Sequence, residues 1–432
     1  MRITYLVAGA GDMYCGACAR DVNLIHELST RGHDVSVTAL YTPLHADEES
    51  VLGTAPIFYG GINVYLQQIS SVFRAAPSSV DRILDNPALL NWVAGFAIKT
   101  RAEDLGPMTV SVLEGKDGKQ KKELARLIKY LKENPAQDVI NITNSLLSGI
   151  APELKAQLNV PVVCTLQGED GFVSIMSEPY RSRAQDLIRK NAESIDLFIS
   201  PGEGYADRMS DFLGVERDKM RVIHAGINSE IYTNSESRKR EPFIIGYLSV
   251  ITAAKGLDIL ADAFTGLVNS RHHDVRLHVA GKILDAQYFE AINKRLASDN
   301  LSSRFKHYGE VDLISKLDFL KNCSVFAAPG RIEESRGMAV MEAMSMGIPV
   351  VTHDRGVFPE LMALTRGGLI VPADKPDAFA DAIEELIENP DRADLFGQQG
   401  AAGIREHYSS QQMADQTLAA YSELLQRETG KS

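Results

Sequence analysis

Short apolar runs of strand length recur along the chain in two series, each run followed by a longer segment of helical period. RITYLVA, DVSVTALY, DVINI, PVVCTL, DLFIS and RVIHAG form the first series; PFIIGYL, VRLHVAG, FKHYG, SVFAAP, PVVTH and LIVPA form the second. Runs this apolar and this short suit strands covered on both faces, and the helices between them are the crossovers that parallel strands require. The rhythm therefore predicts two doubly wound α/β halves, each a parallel sheet wrapped by helices. A length of 432 residues agrees, because one hydrophobic core rarely grows so large. The polar stretch NSESRKREP, residues 234–242, has linker composition and separates an expected first domain, 1–233, from a second beginning at 243.

A formal net charge of −12 repels phosphate backbones and argues against nucleic acid as a general partner. No stretch approaches the apolar length of a membrane span, and the first strand-like run begins at Arg2, so a cytoplasmic protein without a transmembrane segment is expected. Cys15, Cys18, Cys164 and Cys323 are too few to staple a chain of this size, and reduced thiols are the default.

Residues 71–108 fit no simple strand–helix unit and hold Trp92 among apolar neighbours, which reads as an inserted helical element. In the lysine-rich segment 116–132, Leu124, Leu127, Ile128 and Leu131 share one helical face. That pattern suits a helix packed on the sheet with its lysines in water; peripheral contact with a membrane surface is the alternative.

The segment EESRGMAVMEAMSMGIPVV carries the chemistry. SVFAAPG before it reads as a strand end, and residues 337–346 read as a helix closed by Gly347 and Pro349, giving strand, loop, helix. A helix that starts at the carboxyl edge of a parallel sheet presents N–H groups and a partial positive charge, which suits a diphosphate. Arg336, Gly337, Met338 and Ala339 stand where such donors would be. Glu334 lies back in the loop, while Glu342 sits about 7 Å along the helix beyond Gly337 at 1.5 Å per residue. Carboxylates accept hydrogen bonds from vicinal hydroxyls, so the two could flank one nucleotide sugar; two surface acids are the plainer alternative.

This segment resembles the E-x7-E signature of retaining glycosyltransferase family 4, enzymes of the GT-B fold. GYLSVITAAKG, residues 246–256, is similar to that family's phosphate loop, with Lys255 at its diphosphate-binding lysine; VRLHVAG, HYGEV, GVFPELM, RGHDVSVTALY and VIHAGINSEIY also match family landmarks in order. The resemblance implies two Rossmann-like domains facing across a cleft. The second, 243–409, would bind the donor, and a final helix, 410–427, would cross back to the first, acceptor-side domain. It implies Glu334 and Lys255 as catalytic groups, Glu334 on the donor sugar and Lys255 on the departing diphosphate. Glu342 would meet the ribose, and the backbone near Val311 the base. The reaction implied is hexosyl transfer from a nucleoside diphosphate sugar to a hydroxyl on a sugar, glycan or lipid-linked acceptor, with retained configuration. No cofactor and no metal are implied.

The sequence departs from the family pattern in places. Tyr247 stands where an arginine is usual, so Ser249 or Thr252, or a nearby arginine, would have to complete the phosphate clamp. Gln167 replaces a common histidine, with Glu169 and Asp170 close behind; an acid could take over its work, or the loop could bind nothing. The loop GAGDMYCGACARD places Gly16 at the family's second loop glycine, while its glycine spacing fails as a dinucleotide fingerprint. In FYGGINVYLQQ, Gly60 and Gly61 make a second glycine turn that would bring Asn63 and Tyr65 toward the acceptor, or serve only as a turn. Cys15 and Cys18 form a lone C-x-x-C, read as small residues lining a tight loop rather than as a redox or metal site. Two rival functions remain: a nucleotide-sugar epimerase on the same fold, and a catalytically silent sugar-nucleotide-binding protein.

Overall fold

A computed structural model describes residues 1–9, 16–41, 58, 105–233, 241–271, 274–373, 375 and 377–429. Cys15, Gly60, Gly61, Asn63, Tyr65, Trp92 and linker residues 234–240 lie outside the described residues. The chain divides into two compact units, Met1–Ile223 with Ala414–Ser432, and His224–Met413.

In the first unit the strands are β1 (Arg2–Val7), β2 (Asp34–Ala39), β3 (Val139–Ile142), β4 (Val162–Thr165), β5 (Leu197–Ser200) and β6 (Met220–Val222). They form one parallel sheet in the order β2-β1-β3-β4-β5-β6. Strands β3, β4 and β5 are buried at every residue, as apolar runs covered on both faces must be. Leu124, Leu127, Ile128 and Leu131 of the helix Lys121–Glu133 are buried in the core, so its apolar face is spent on packing. Near the chain end, the Tyr421 hydroxyl lies 2.9 Å from that of Tyr5 and donates to Asn141 Oδ1 at 3.2 Å, which ties the helix Ser410–Thr429 into this unit. Burial holds both phenols above their ordinary pKa, keeping them neutral donors.

The second unit repeats the plan with β7 (Phe243–Leu248), β8 (Val275–Ala280), β9 (Phe305–His307), β10 (Val325–Ala328), β11 (Val350–His353) and β12 (Gly368–Val371). Its parallel sheet runs β12-β11-β10-β7-β8-β9. The order reverses between β10 and β7, and at such a switch point neighbouring loops leave the carboxyl edge toward opposite faces, opening a crevice. In its core the helix Leu257–Arg271, through Leu260 and Phe264, packs on β8, and the helix Ala378–Glu388, through Phe379 and Ile383, packs on β11 and β12.

Phe264 is fully buried in that core. Phe264→Ala removes a large side chain from close-packed surroundings, and the expected cost is about 3–5 kcal/mol. Urea unfolding of the second unit is the check; a loss below about 1 kcal/mol would contradict this packing.

Candidate functional site

The site is assembled at the carboxyl edge of the second sheet by two loops that approach main chain to main chain. After β7, residues 249–256 carry Lys255 and close with Gly256 at φ 73°. A Cβ at Gly256 would come within 2.1 Å of the Pro329 carbonyl oxygen, so only glycine lets this loop meet the one leaving β10. The Arg331 N–H donates to Ala254 O at 2.9 Å, and Arg331 Nη1 donates to Ala253 O at 2.8 Å. The Arg331 guanidinium also grips Asp258 with two bonds of 2.7 and 2.6 Å, and Asp258 accepts from the Tyr288 hydroxyl at 2.6 Å. Tyr247, in the usual arginine's position, is buried, and its hydroxyl donates to the Lys255 carbonyl at 3.3 Å. Tyr247 thus fixes the lysine's backbone.

A second close approach sets Glu334. Gly356, at φ 60°, would place a Cβ within 2.1 Å of Glu334 O, and Val357 N–H donates to that oxygen at 2.7 Å. The neighbouring Glu333 carboxylate accepts from Gly356 N–H at 2.7 Å. Held in this way, Glu334 meets Lys255, with Nζ 2.7 Å from Oε2. Burial alone would raise the Glu334 pKa, but the charges of Lys255 and Arg336, with hydrogen bonds from Lys255 and from the Arg336 N–H, hold it below its usual range. Both partners stay about a quarter exposed. A pair this accessible is worth at most about 1 kcal/mol, so an incoming anion or hydroxyl can take over either partner at small cost.

Gly337, at φ 70°, leads into the helix Met338–Ser345 and has no side chain with which to cap it. The first N–H groups of a helix have no intrahelical acceptors, and here they follow directly on Glu334 and Arg336. Lys255, Glu334, Arg336 and Gly337 are therefore brought together as a cation, a carboxylate and a helix start. Ala339 and Met338 open that helix, Ala339 half-buried and Met338 buried.

Glu342, farther along this helix, is buried. Its Oε1 accepts from Lys316 Nζ at 3.0 Å and from the Tyr232 hydroxyl at 2.9 Å, and all three residues are buried. Ser249 and Thr252 are half-buried in the Lys255 loop, with Ser249 N–H donating to Ala280 O at 3.1 Å and Thr252 O accepting from Lys255 N–H at 3.0 Å. Val311 is half-buried in the loop before the helix Leu313–Lys321, whose start is capped by Asp312 accepting from Ser315 N–H at 2.7 Å.

The residues expected on the acceptor side belong to the first unit. Gly16 opens the helix Gly16–Thr30. Glu169 is buried, and its carboxylate accepts from Ser145 N–H at 2.8 Å, Gln167 N–H at 2.7 Å and the Tyr205 hydroxyl at 3.1 Å. It is an internal clamp joining the loops after β3 and β4, not a carboxylate turned to solvent. Gln167 donates to Asp21 at 3.0 Å, and Asp21 pairs with Arg20 at 2.9 Å in a buried cluster. Asp170 is partly exposed and receives Arg208 and Tyr205, each at 3.0 Å.

Two family models match the chain in tandem: Glycosyltransferase Family 4 over residues 22–231 and Glycosyl transferases group 1 over residues 228–402. The chain belongs to the family 4 glycosyltransferases. D-inositol 3-phosphate glycosyltransferase of Paenarthrobacter aurescens is 22% identical over 84% of this chain and 93% of its own length. Phosphatidyl-myo-inositol mannosyltransferase of Mycobacterium leprae is 29% identical, over 39% of this chain and 42% of that protein, so this match spans less than half of the relative. Among solved structures, sucrose-phosphate synthase from Thermosynechococcus elongatus superposes with a TM-score of 0.71 at 18% identity, covering 99% of this chain and 100% of the other. Anabaena HepE in complex with UDP superposes with a TM-score of 0.66 at 16% identity, covering 98% and 100%. These likenesses establish the GT-B fold. Among the described residues of this glycosyltransferase, no helix is long and apolar enough to cross a membrane.

Lys316, Tyr232, Arg331 and Asp258 escaped the sequence reading. Lys316 alone left a signal: it precedes Phe319 and Leu320 at i+3 and i+4, a stripe that places its stem in the core.

The depressed pKa of Glu334 has a consequence for stability. A carboxylate with a folded-state pKa below its unfolded value stabilises the fold above the unfolded pKa, and the contribution is lost as pH falls through the folded one. The unfolding free energy of wild type minus that of Glu334→Gln should therefore shrink between about pH 5 and pH 3. A difference independent of pH over that range would contradict the ion pair.

Proposed function

We propose that this glycosyltransferase moves a hexosyl group from a nucleoside diphosphate sugar to a hydroxyl acceptor, with retention of anomeric configuration and without a metal ion. The observation that carries this reading is the accessible Lys255–Glu334 pair beside the uncapped start of the helix Met338–Ser345. Breaking the bond between the anomeric carbon and the diphosphate sends an electron pair to phosphate oxygen. Lys255, once it lets go of Glu334, and the helix N–H groups would stabilise that developing charge. When Lys255 turns to the diphosphate, Glu334 is released to accept hydrogen bonds from sugar hydroxyls and to oppose positive charge growing at the anomeric carbon. The acceptor hydroxyl oxygen forms the new bond, and its proton leaves with the nucleoside diphosphate.

UDP bound in HepE supports a nucleoside diphosphate as the leaving group, and relatives named for inositol phosphate and phosphatidylinositol support a polyol or lipid-linked hydroxyl as acceptor. Arg336, Gly337, Met338 and Ala339 would line the diphosphate, Ser249 and Thr252 would border it, Val311 would meet the base and Glu342 the ribose. Gly16, Gln167 and Asp170 would belong to the acceptor side.

The test is a panel of nucleoside diphosphate sugars incubated with and without polyol and glycan acceptors, with products identified by mass spectrometry and the anomeric configuration read by NMR. Transfer with retention, unaffected by EDTA, is expected. Lys255→Ala and Glu334→Ala should each lower kcat by about 10²-fold or more, the loss typical for removing one preorganised group from a charge-stabilising site. Near wild-type turnover in both variants would refute the assignment. Epimerised sugar from donor alone would favour the rival isomerase, and tight donor binding with no product from any acceptor would favour a silent binder.

A further inference from the structure

We propose that Lys316 and Tyr232 are positioning residues for the nucleotide ribose, acting through Glu342; the inference rests on the donor-site reading above. Glu342 lies in a buried triad: Lys316 Nζ is 3.0 Å and the Tyr232 hydroxyl 2.9 Å from the same oxygen, Oε1. The Lys316 ammonium also stands 5.2 Å from the centre of the Tyr232 ring, so three groups fix one another. Side-chain exposure is 4% for Lys316 and 3% for Glu342.

Burying two charges is costly, and a pair of well-packed apolar side chains generally serves stability as well or better. A retained buried pair therefore points to geometry that an apolar pair could not specify. Each partner comes from an element tied to the donor site. Lys316 belongs to the helix Leu313–Lys321, whose capping residue Asp312 directly follows Val311, so the lysine connects the base-side loop to Glu342. Tyr232 precedes the linker, and its carbonyl accepts from Ser345 Oγ at 3.0 Å, which docks that segment on the helix carrying Glu342. With Oε1 gripped from both sides, the carboxylate cannot swing. Its plane is set for one arrangement of hydroxyls, as recognition of a ribose diol requires.

The test is isothermal titration of wild type, Tyr232→Phe, Lys316→Met and Lys316→Arg with UDP and GDP and with their 2′-deoxy counterparts. Wild type should bind the ribonucleotide about tenfold or more tightly than the deoxy form, as expected when a hydrogen bond to a charged group is lost. That ratio should fall toward one in Lys316→Met, fall in part in Tyr232→Phe and be partly restored in Lys316→Arg. A merely structural role would lower the melting temperature and leave the ratio unchanged. Should Lys316→Met fail to fold, Tyr232→Phe, which deletes only one hydroxyl, decides the matter. Wild-type ratios in the folded variants, or a wild type indifferent to the 2′-hydroxyl, would overturn the inference while leaving the donor site standing. Failure of wild type to bind any nucleoside diphosphate would remove the donor site and this inference together.

Discussion

Two contacts between main chains make the rest of the proposed donor site possible. Gly256 lies against the Pro329 carbonyl and Gly356 against Glu334, each at a distance that any Cβ would forbid. Both glycines also have positive φ, so each position excludes other residues twice, by conformation and by space. Because the loops touch through their backbones, Lys255 and Glu334 are delivered to one point without depending on their own flexible stems. The surrounding bonds work in the same direction: Arg331 reaches back to Ala253 and Ala254, and Tyr247 holds the Lys255 carbonyl.

This construction separates two kinds of ion pair within one motif. Lys255 and Glu334 are about a quarter exposed, and a pair of that kind contributes little to stability and exchanges readily for a ligand. Lys316 and Glu342 are almost wholly buried, where loss of one partner costs about 3–5 kcal/mol because the other charge is stranded. The first pair is suited to exchanging its partners, the second to persisting.

The twelve strands among the described residues were legible as short runs between helical segments, most plainly β3, β4 and β5, which are covered on both faces, and less so the edge strands β2 and β9, which keep exposed polar residues. Their ends were less so: RVIHAG reads as a strand into Ala225, yet β6 stops at Val222. Strand ends depend on where a neighbour offers ladder partners, and β6 pairs with β5 from Met220 as far as Val222. At the site, Glu334 and Lys255 entered the reading through the resemblance to family 4, and the helix start at Gly337 through its strand, loop and helix pattern. Lys316 and Tyr232 could not be read, since they lie 26 and 110 residues from Glu342 and no local pattern announces a partner at that range.

Glu169 shows the same limit from the other direction. In sequence it is one acid in a polar loop after a strand, and a role facing the acceptor follows naturally. Its neighbours in space are N–H groups of Ser145 and Gln167 and the hydroxyl of Tyr205, a phenol that burial and the nearby charges of Glu169 and Asp170 push well above its ordinary range. A carboxylate that receives three donors in the interior has its acceptor capacity taken up inside the fold. Glu342 is likewise enclosed, with Lys316 Nζ and the Tyr232 hydroxyl both on Oε1. Both acids take partners distant in sequence, Ser145 and Tyr205 for one and Lys316 and Tyr232 for the other, so neither enclosure could be read from a local pattern.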